Sequence, residues 1–154
     1  MKVLFVCAEN VNRSQIAEAI FNRLSKRNRA QSAGLSPRII GPLRNAYDEE
    51  RGTYPPIIPM KEFGYDLSRN KIKKLNKKMA EDANKIVFMF EKKKHADEIP
   101  KYAISKRDIE FWEIPGLSPG LTFEEYRRTE RARIRKIEKR VRDLVTRINR
   151  ETSD

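Results

Sequence analysis

Lys2-Val3-Leu4-Phe5-Val6-Cys7, then Ala8-Glu9-Asn10-Val11-Asn12, then Arg13-Ser14, is the stretch that decides the fold of this chain. The run from Lys2 to Val6 is short, rich in β-branched and aromatic side chains, and reads as a buried strand ending at Cys7. Beyond Arg13, the residues Ile16, Ala17, Ile20, Phe21 and Leu24 recur at helical spacing and predict a helix over 13–24. The segment 8–12 between them is just long enough to curl into a loop with its N–H groups pointing inward. Strand, tight loop and helix N-terminus make an anion site from backbone geometry alone. Cys7 is the only cysteine, and its C-x5-R-S spacing puts a thiol at the base of that site and a guanidinium at its rim. That combination is a candidate phosphoryl-transfer site. A free cysteine at a strand end is also a common small buried hydrophobe. The presence of Asn10, Arg13, Ser14 and the following helix favours chemistry.

Further along, strands alternate with helices, which argues for a parallel sheet wrapped by helices. Residues 30–34 read as a second strand ending at Gly34. Residues 35–59 contain Pro37, Pro42, Pro55, Pro56 and Pro59 together with a polar run at 48–52, and read as a mobile surface excursion. Tyr47 and Tyr54 lie within it as candidate walls of a pocket. A short helix is predicted over 59–63, stopped by Gly64. A basic amphipathic helix is predicted over 68–80, with Ile72, Leu75 and Met79 facing inward. Residues 85–90 read as a buried strand, 92–95 as an exposed charged stretch and 108–112 as a fourth strand. His95, the only histidine, has no partner at metal-ligand spacing and reads as a surface residue. Two prolines and two glycines make 113–120 a loop, at the sheet edge that carries chemistry in open α/β folds. Thr122 and Glu125 form a capping box for a last long helix. Its buried stripe is Ile134, Ile137, Val141, Leu144, Val145 and Ile148, and the Arg and Lys residues between them are expected to face solvent.

Composition sets the outer bounds. At 154 residues, 38% hydrophobic and 36% charged, the chain is expected to be one soluble domain with a real core. No run is long enough for a membrane span, and the first strand is too short for a signal-peptide core. A lone cysteine points to a reducing, cytoplasmic setting. The net charge is +12, and residues 127–154 hold half of it, with eleven Lys/Arg against five Asp/Glu. Such an excess favours phosphate-bearing partners. The basic C-terminal helix is compatible with nucleic acid, but no nucleic-acid-binding motif accompanies the charge.

The string from Val3 through Cys7, Asn10, Arg13 and Ser14 to Ala19 resembles the opening of low-molecular-weight protein tyrosine phosphatases and of the related thioredoxin-coupled arsenate reductases. Ser32-Ala33-Gly34, Gly64-Tyr65-Asp66-Leu67-Ser68, the strand at 86–89 and Trp112-Glu113-Ile114-Pro115 recur in the same order. The resemblance spans residues 1–154 apart from the excursion at about 40–56. It implies a three-layer α/β domain, a four-stranded parallel sheet flanked by helices with a phosphate-binding loop after the first strand. It also implies residue roles. Cys7 is the nucleophile and forms a phosphocysteine, Arg13 forks onto two phosphate oxygens, and the Ser14 hydroxyl bonds the thiolate. Backbone N–H groups of Ala8, Glu9, Asn10, Val11, Asn12 and Arg13 hold the phosphate. Asn10 and Ser32 keep the loop in shape. Neither a metal nor a cofactor is implied.

Three positions depart from the pattern. Asn12 stands where both branches carry a second cysteine, and the further cysteine pair of the reductases is missing, so an intramolecular disulfide relay is chemically impossible. Gly116 stands where the family places its general-acid aspartate, which leaves Glu113 as the nearest carboxylate in that loop. Glu9 puts a negative charge in the phosphate loop, with its side chain expected to point outward. The leading expectation is a phosphatase acting on phosphotyrosine or a similar aryl phosphomonoester, its partner a phosphorylated protein or small aryl phosphate. Two alternatives stay open: an arsenate-reductase-like protein using external thiols, and a catalytically silent phosphate- or polyanion-binding module.

Overall fold

The computed structural model describes residues 1–105 and 108–152. The chain opens with β1 (Lys2–Cys7), α1 (Arg13–Leu24) and β2 (Arg29–Gly34). A short β3 (Gly41–Pro42) leads into a 3-10 turn (Leu43–Ala46), then α2 (Ile57–Glu62), β4 (Lys71–Ile72) and α3 (Lys77–Asp82). The second half holds β5 (Lys85–Phe88), α4 (Lys92–His95), a 3-10 turn (Ala96–Glu98), α5 (Lys101–Ile104), β6 (Ile109–Phe111) and α6 (Phe123–Thr152). The main sheet has the order β2-β1-β5-β6, with every pair parallel. This is the four-stranded, three-layer α/β arrangement that the sequence predicts.

Side-chain alternation along β1 sends Val3, Phe5 and Cys7 to one face and Leu4 and Val6 to the other. The first set packs with Ile16, Ile20 and Phe21 of α1 and with the apolar stripe of α6. The second packs with Leu75, Ala80, Ala83, Ile99 and Ala103. Helices on both faces explain why β1 and β5 read as continuous apolar runs. All six residues predicted for the α6 stripe are buried. The Thr122–Glu125 capping box is present, Thr122 N–H to Glu125 Oε1 at 3.1 Å and Glu125 N–H to Thr122 Oγ1 at 3.2 Å.

Two segments differ from expectation. The predicted helix over 68–80 is replaced by β4, an irregular link and α3. The backbone there is committed to other parts of the fold. Gly34 N–H donates to Lys73 O, Leu75 N–H to Gly34 O, and β4 pairs with β3. Helical spacing of Ile72 and Leu75 reports only that both are buried. Likewise the excursion is anchored rather than mobile. Leu43, Ala46 and Tyr54 are buried, and Tyr54 Oη donates to Leu121 O at 3.1 Å.

An ion cluster around buried Lys85 ties β5, β6 and α6 together. Lys85 Nζ reaches Asp108 at 2.6 Å and Glu110 at 2.7 Å, and Arg147 forks onto both Glu110 oxygens at 3.1 Å. Burial alone raises the Glu110 carboxyl, but hydrogen bonds from Arg147, Lys85 and Trp112 outweigh it and hold the group at about 2. A carboxylate whose folded value is depressed adds stability above its ordinary value of 4.5, and that stability is lost as pH falls toward 2. Urea unfolding at pH 7 and pH 3 should therefore show wild type losing on the order of 2 kcal/mol more than Glu110→Gln on acidification. Parallel losses in the two proteins would remove Glu110 from the acid limb.

Candidate active site

The site begins where β1 stops. Cys7 pairs in register with Gly34 of β2, and residues 8–12 arch from the strand end to the start of α1. Gly34 makes that arch possible. A Cβ there would lie 2.6 Å from the Glu9 carbonyl carbon and 2.8 Å from Asn10 N, so only glycine lets the loop sit on the sheet edge. Asn10 takes a left-handed conformation, φ 61°, which asparagine tolerates better than most residues.

Fully buried Asn10 is the hub of the loop. Its Nδ2 donates to Ser14 Oγ at 2.8 Å and to Ser32 Oγ at 3.0 Å. Its Oδ1 accepts from Lys73 N–H at 2.9 Å and from Gln15 Nε2 at 3.1 Å. Cys7 Sγ lies 2.9 Å from Ser14 Oγ and accepts from Asn10 N–H at 3.3 Å. Ser14 Oγ accepts from Asn10, which leaves its own proton available to a thiolate sulfur. Ser32 in turn donates to Glu18 at 2.9 Å.

Above the sulfur is a cleft of about 240 Å³, lined by the loop residues Cys7 to Arg13 other than Asn10, by residues 51–54, by residues 116–119 and by Arg133. Arg13 is held by Ile114 O, which accepts from Nη1 at 2.7 Å. Gly52 and Gly120 bring the two outer walls together, since a Cβ on Gly52 would lie 2.9 Å from Gly120 N. The Tyr54 ring packs on Tyr126 at 4.9 Å, so one wall is aromatic.

The structure brings Cys7, Arg13, Ser14, Asn10, Ser32 and the loop residues Ala8, Glu9, Val11 and Asn12 into one assembly. Glu9 turns outward and pairs with Arg38 at 2.7 Å. Glu113 is not brought in. Its carboxylate accepts from Lys92 N–H at 3.2 Å, at the start of α4, and it does not line the cleft. Gly116 does line it, with its Cα hydrogen facing Arg13 Nη2. Among the described residues, no group of three or more His, Cys, Asp or Glu is placed to hold a metal ion, and His95 pairs with Glu98 at the surface.

Two residues of α6 escaped the sequence reading. Glu130 is fully buried and accepts from Asn12 Nδ2, while Arg133, 9% exposed, lines the cleft. Burial pushes the Glu130 carboxyl up, against the opposing pull of Arg133 and Asn12. Burial likewise pushes Arg133 down. The Arg and Lys residues between Ile134 and Ile148 are exposed as expected, whereas Arg133, one residue before that stripe, is buried. The signal was available. The stripe Ile134–Ile137 continued backward from Ile134 by steps of four reaches Glu130 and Tyr126, so the same face turns polar toward residue 12.

Comparison with known proteins fits this geometry. The family model described as low molecular weight phosphotyrosine protein phosphatase matches residues 2–154. A low molecular weight protein tyrosine phosphatase from T. tengcongensis superposes with a TM-score of 0.64 at 27% identity, covering 96% of this chain and 99% of that one. YwlE arginine phosphatase from Geobacillus stearothermophilus gives 0.69 at 20% identity, covering 98% and 96%. A thioredoxin-dependent arsenate reductase from Corynebacterium glutamicum gives 0.68 at 22% identity, where the match covers 98% of this chain but 63% of that protein. No curated protein matches the chain.

Proposed function

The chain belongs to the low molecular weight phosphotyrosine protein phosphatase family, and from that premise we propose that it hydrolyses phosphomonoesters through a phosphocysteine intermediate. The observation that carries this reading is the position of Cys7 Sγ, facing Ser14 Oγ at 2.9 Å and Asn10 N–H at 3.3 Å on the floor of a cleft that Arg13 also lines. The Ser14 hydroxyl and the Asn10 amide stabilise a thiolate by donating to it. That sulfur attacks phosphorus, the S–P bond forms and the P–O bond to the leaving group breaks. Water then attacks phosphorus, the S–P bond breaks, and thiolate, inorganic phosphate and a proton are released. The amides of residues 8–13 and the Arg13 fork follow the three equatorial oxygens through both steps, where charge stabilisation matters most.

Among the described residues, Glu9 is the only carboxylate lining the cleft, and it is engaged by Arg38. Leaving-group protonation then falls to solvent, and aryl phosphates whose phenols leave easily are the favoured substrates. Phosphotyrosine on a protein and small aryl phosphates share this chemistry, and a reducing cytoplasmic compartment suits the single thiol. The arsenate-reductase alternative has less support. The chain has no second cysteine, and Asn12 is tied to Glu130. The silent binding module draws its support from the missing acid.

Hydrolysis of p-nitrophenyl phosphate by the wild-type chain, run beside an assay of arsenate-dependent thiol consumption, tests the proposal. Turnover of the ester without thiol consumption is expected. Thiol consumption only with arsenate would move the chain to the reductase branch, and neither activity with phosphate still bound would leave a binding module.

A further inference from the structure

A single phosphate on the loop engages Arg13, yet the cleft is lined by three arginines, Arg13, Arg51 and Arg133. Arg133 is the least expected of them. It is nine-tenths buried, and none of its three guanidinium nitrogens has a hydrogen-bond partner among the described residues. Its one ion-pair contact, Glu130 Oε1, lies 3.9 Å from Nε, and the other Glu130 oxygen already accepts from Asn12. A buried guanidinium with unused donors is costly unless an anion meets it, and its planar fork matches a phosphate group. Arg13 cannot share that duty, because Ile114 O fixes it over the loop. Arg51 adds a further charge at the rim, and the Glu9 carboxylate is neutralised by Arg38. The cleft is therefore lined by a guanidinium whose donors no group among the described residues satisfies.

We propose that Arg133 anchors a second anion subsite beside the phosphate loop, so that the substrate is a phosphomonoester carrying a second phosphate close to the scissile one. The proposal rests on the phosphatase reading of the Cys7 loop and adds the substrate class. The fold supplies the subsite through α6, whose core-facing stripe places Glu130 under Asn12 and Arg133 at the cleft wall. Glu130 keeps the guanidinium from leaving the cleft without satisfying its donors.

The test is isothermal titration of the full chain with inorganic phosphate and with pyrophosphate, in EDTA and in a Cys7→Ser background so that neither ligand is consumed. Pyrophosphate is expected to bind at least ~10-fold tighter than phosphate, the effect of one charge-assisted fork. Adding Glu130→Gln with Arg133→Met, which leaves no buried unpaired carboxylate, should bring the two affinities to within about twofold of each other. Arg133→Lys, which keeps the charge beside Glu130 but loses the fork, should show a preference reduced by about threefold or more. It carries the test if the double variant fails to fold. Equal affinities in the parent, or a preference unchanged in a folded variant, would overturn the subsite. Turnover of p-nitrophenyl phosphate without pyrophosphate preference sinks the subsite alone. Preference without turnover sinks the hydrolase reading and leaves the subsite standing.

Discussion

Replacing Cys7 with serine is expected to lower turnover of p-nitrophenyl phosphate by ~10⁴-fold or more while phosphate affinity changes by no more than a few-fold. The substitution exchanges one atom. Ser14 Oγ and Asn10 N–H still have an acceptor where they now face sulfur at 2.9 and 3.3 Å. Arg13 stays on Ile114 O, and the loop amides stay where Gly34 and Asn10 place them. What disappears is the sulfur nucleophile, since an alkoxide is far less accessible than a thiolate. Binding and chemistry should therefore separate cleanly, with steady-state kinetics reading one and titration with phosphate the other. If the serine variant kept more than about a hundredth of the wild-type rate, the reaction would not pass through the sulfur.

Asn10→Ala is expected to cost about 3–5 kcal/mol of stability and to lower kcat by ~10²-fold in whatever fraction folds. Four side-chain hydrogen bonds vanish together, and the Lys73 N–H and the buried Ser14 and Ser32 hydroxyls lose a partner. Leaving buried polar groups unpaired costs more than the net worth of the bonds themselves. Alanine at φ 61° adds the steric penalty of the left-handed region, which asparagine and glycine largely escape. Asn10→Gly separates the two causes. It should recover about 1 kcal/mol over alanine by relieving the backbone, and leave the rest of the loss in place. Urea unfolding of the three proteins reads both differences. A loss below about 1 kcal/mol for alanine would show that the network orients the loop without contributing to stability.

The two variants probe different links. Cys7 matters because of what its atom can do, and Asn10 because of what it holds. Only the second depends on groups far away in the chain, since Lys73 comes from the link after β4 and Ser32 from β2. Losses of stability and of rate should therefore travel together in Asn10→Ala and part company in Cys7→Ser.

Much of the molecule was legible because local chemistry and global fold agree. The apolar run into Cys7, the helical spacing after Arg13 and the capping box at Thr122 each act over one or two turns of chain, and each appears in the structure as read. The α6 stripe was read correctly for its apolar residues and incompletely for its polar ones. Period alone reveals that a face is covered, and it says nothing of whether the cover is a hydrophobic helix or a phosphate loop. Residues 68–80 show the complementary failure. Burial at helical spacing was correctly seen, but backbone bonds from Lys73 and Leu75 to the edge at Gly34 took precedence over the helix ladder.

Sequence by itself therefore determined the parallel α/β sheet, the strand–loop–helix arrangement around Cys7, the single thiol and the impossibility of an internal disulfide relay. These follow from short-range spacing and from residue counts. Tertiary structure alone decided which carboxylates and cations reach the cleft. Glu113, close in sequence to the expected acid position, turns away to the start of α4. Arg133, more than a hundred residues from Cys7, turns in, and Glu130 beside it meets Asn12. The physical reason is that a side chain's charge is written in the sequence, while its partners are set by which elements pack face to face. Electrostatic energy at such a site depends on those distances and on burial, and neither is a property of any local stretch of chain.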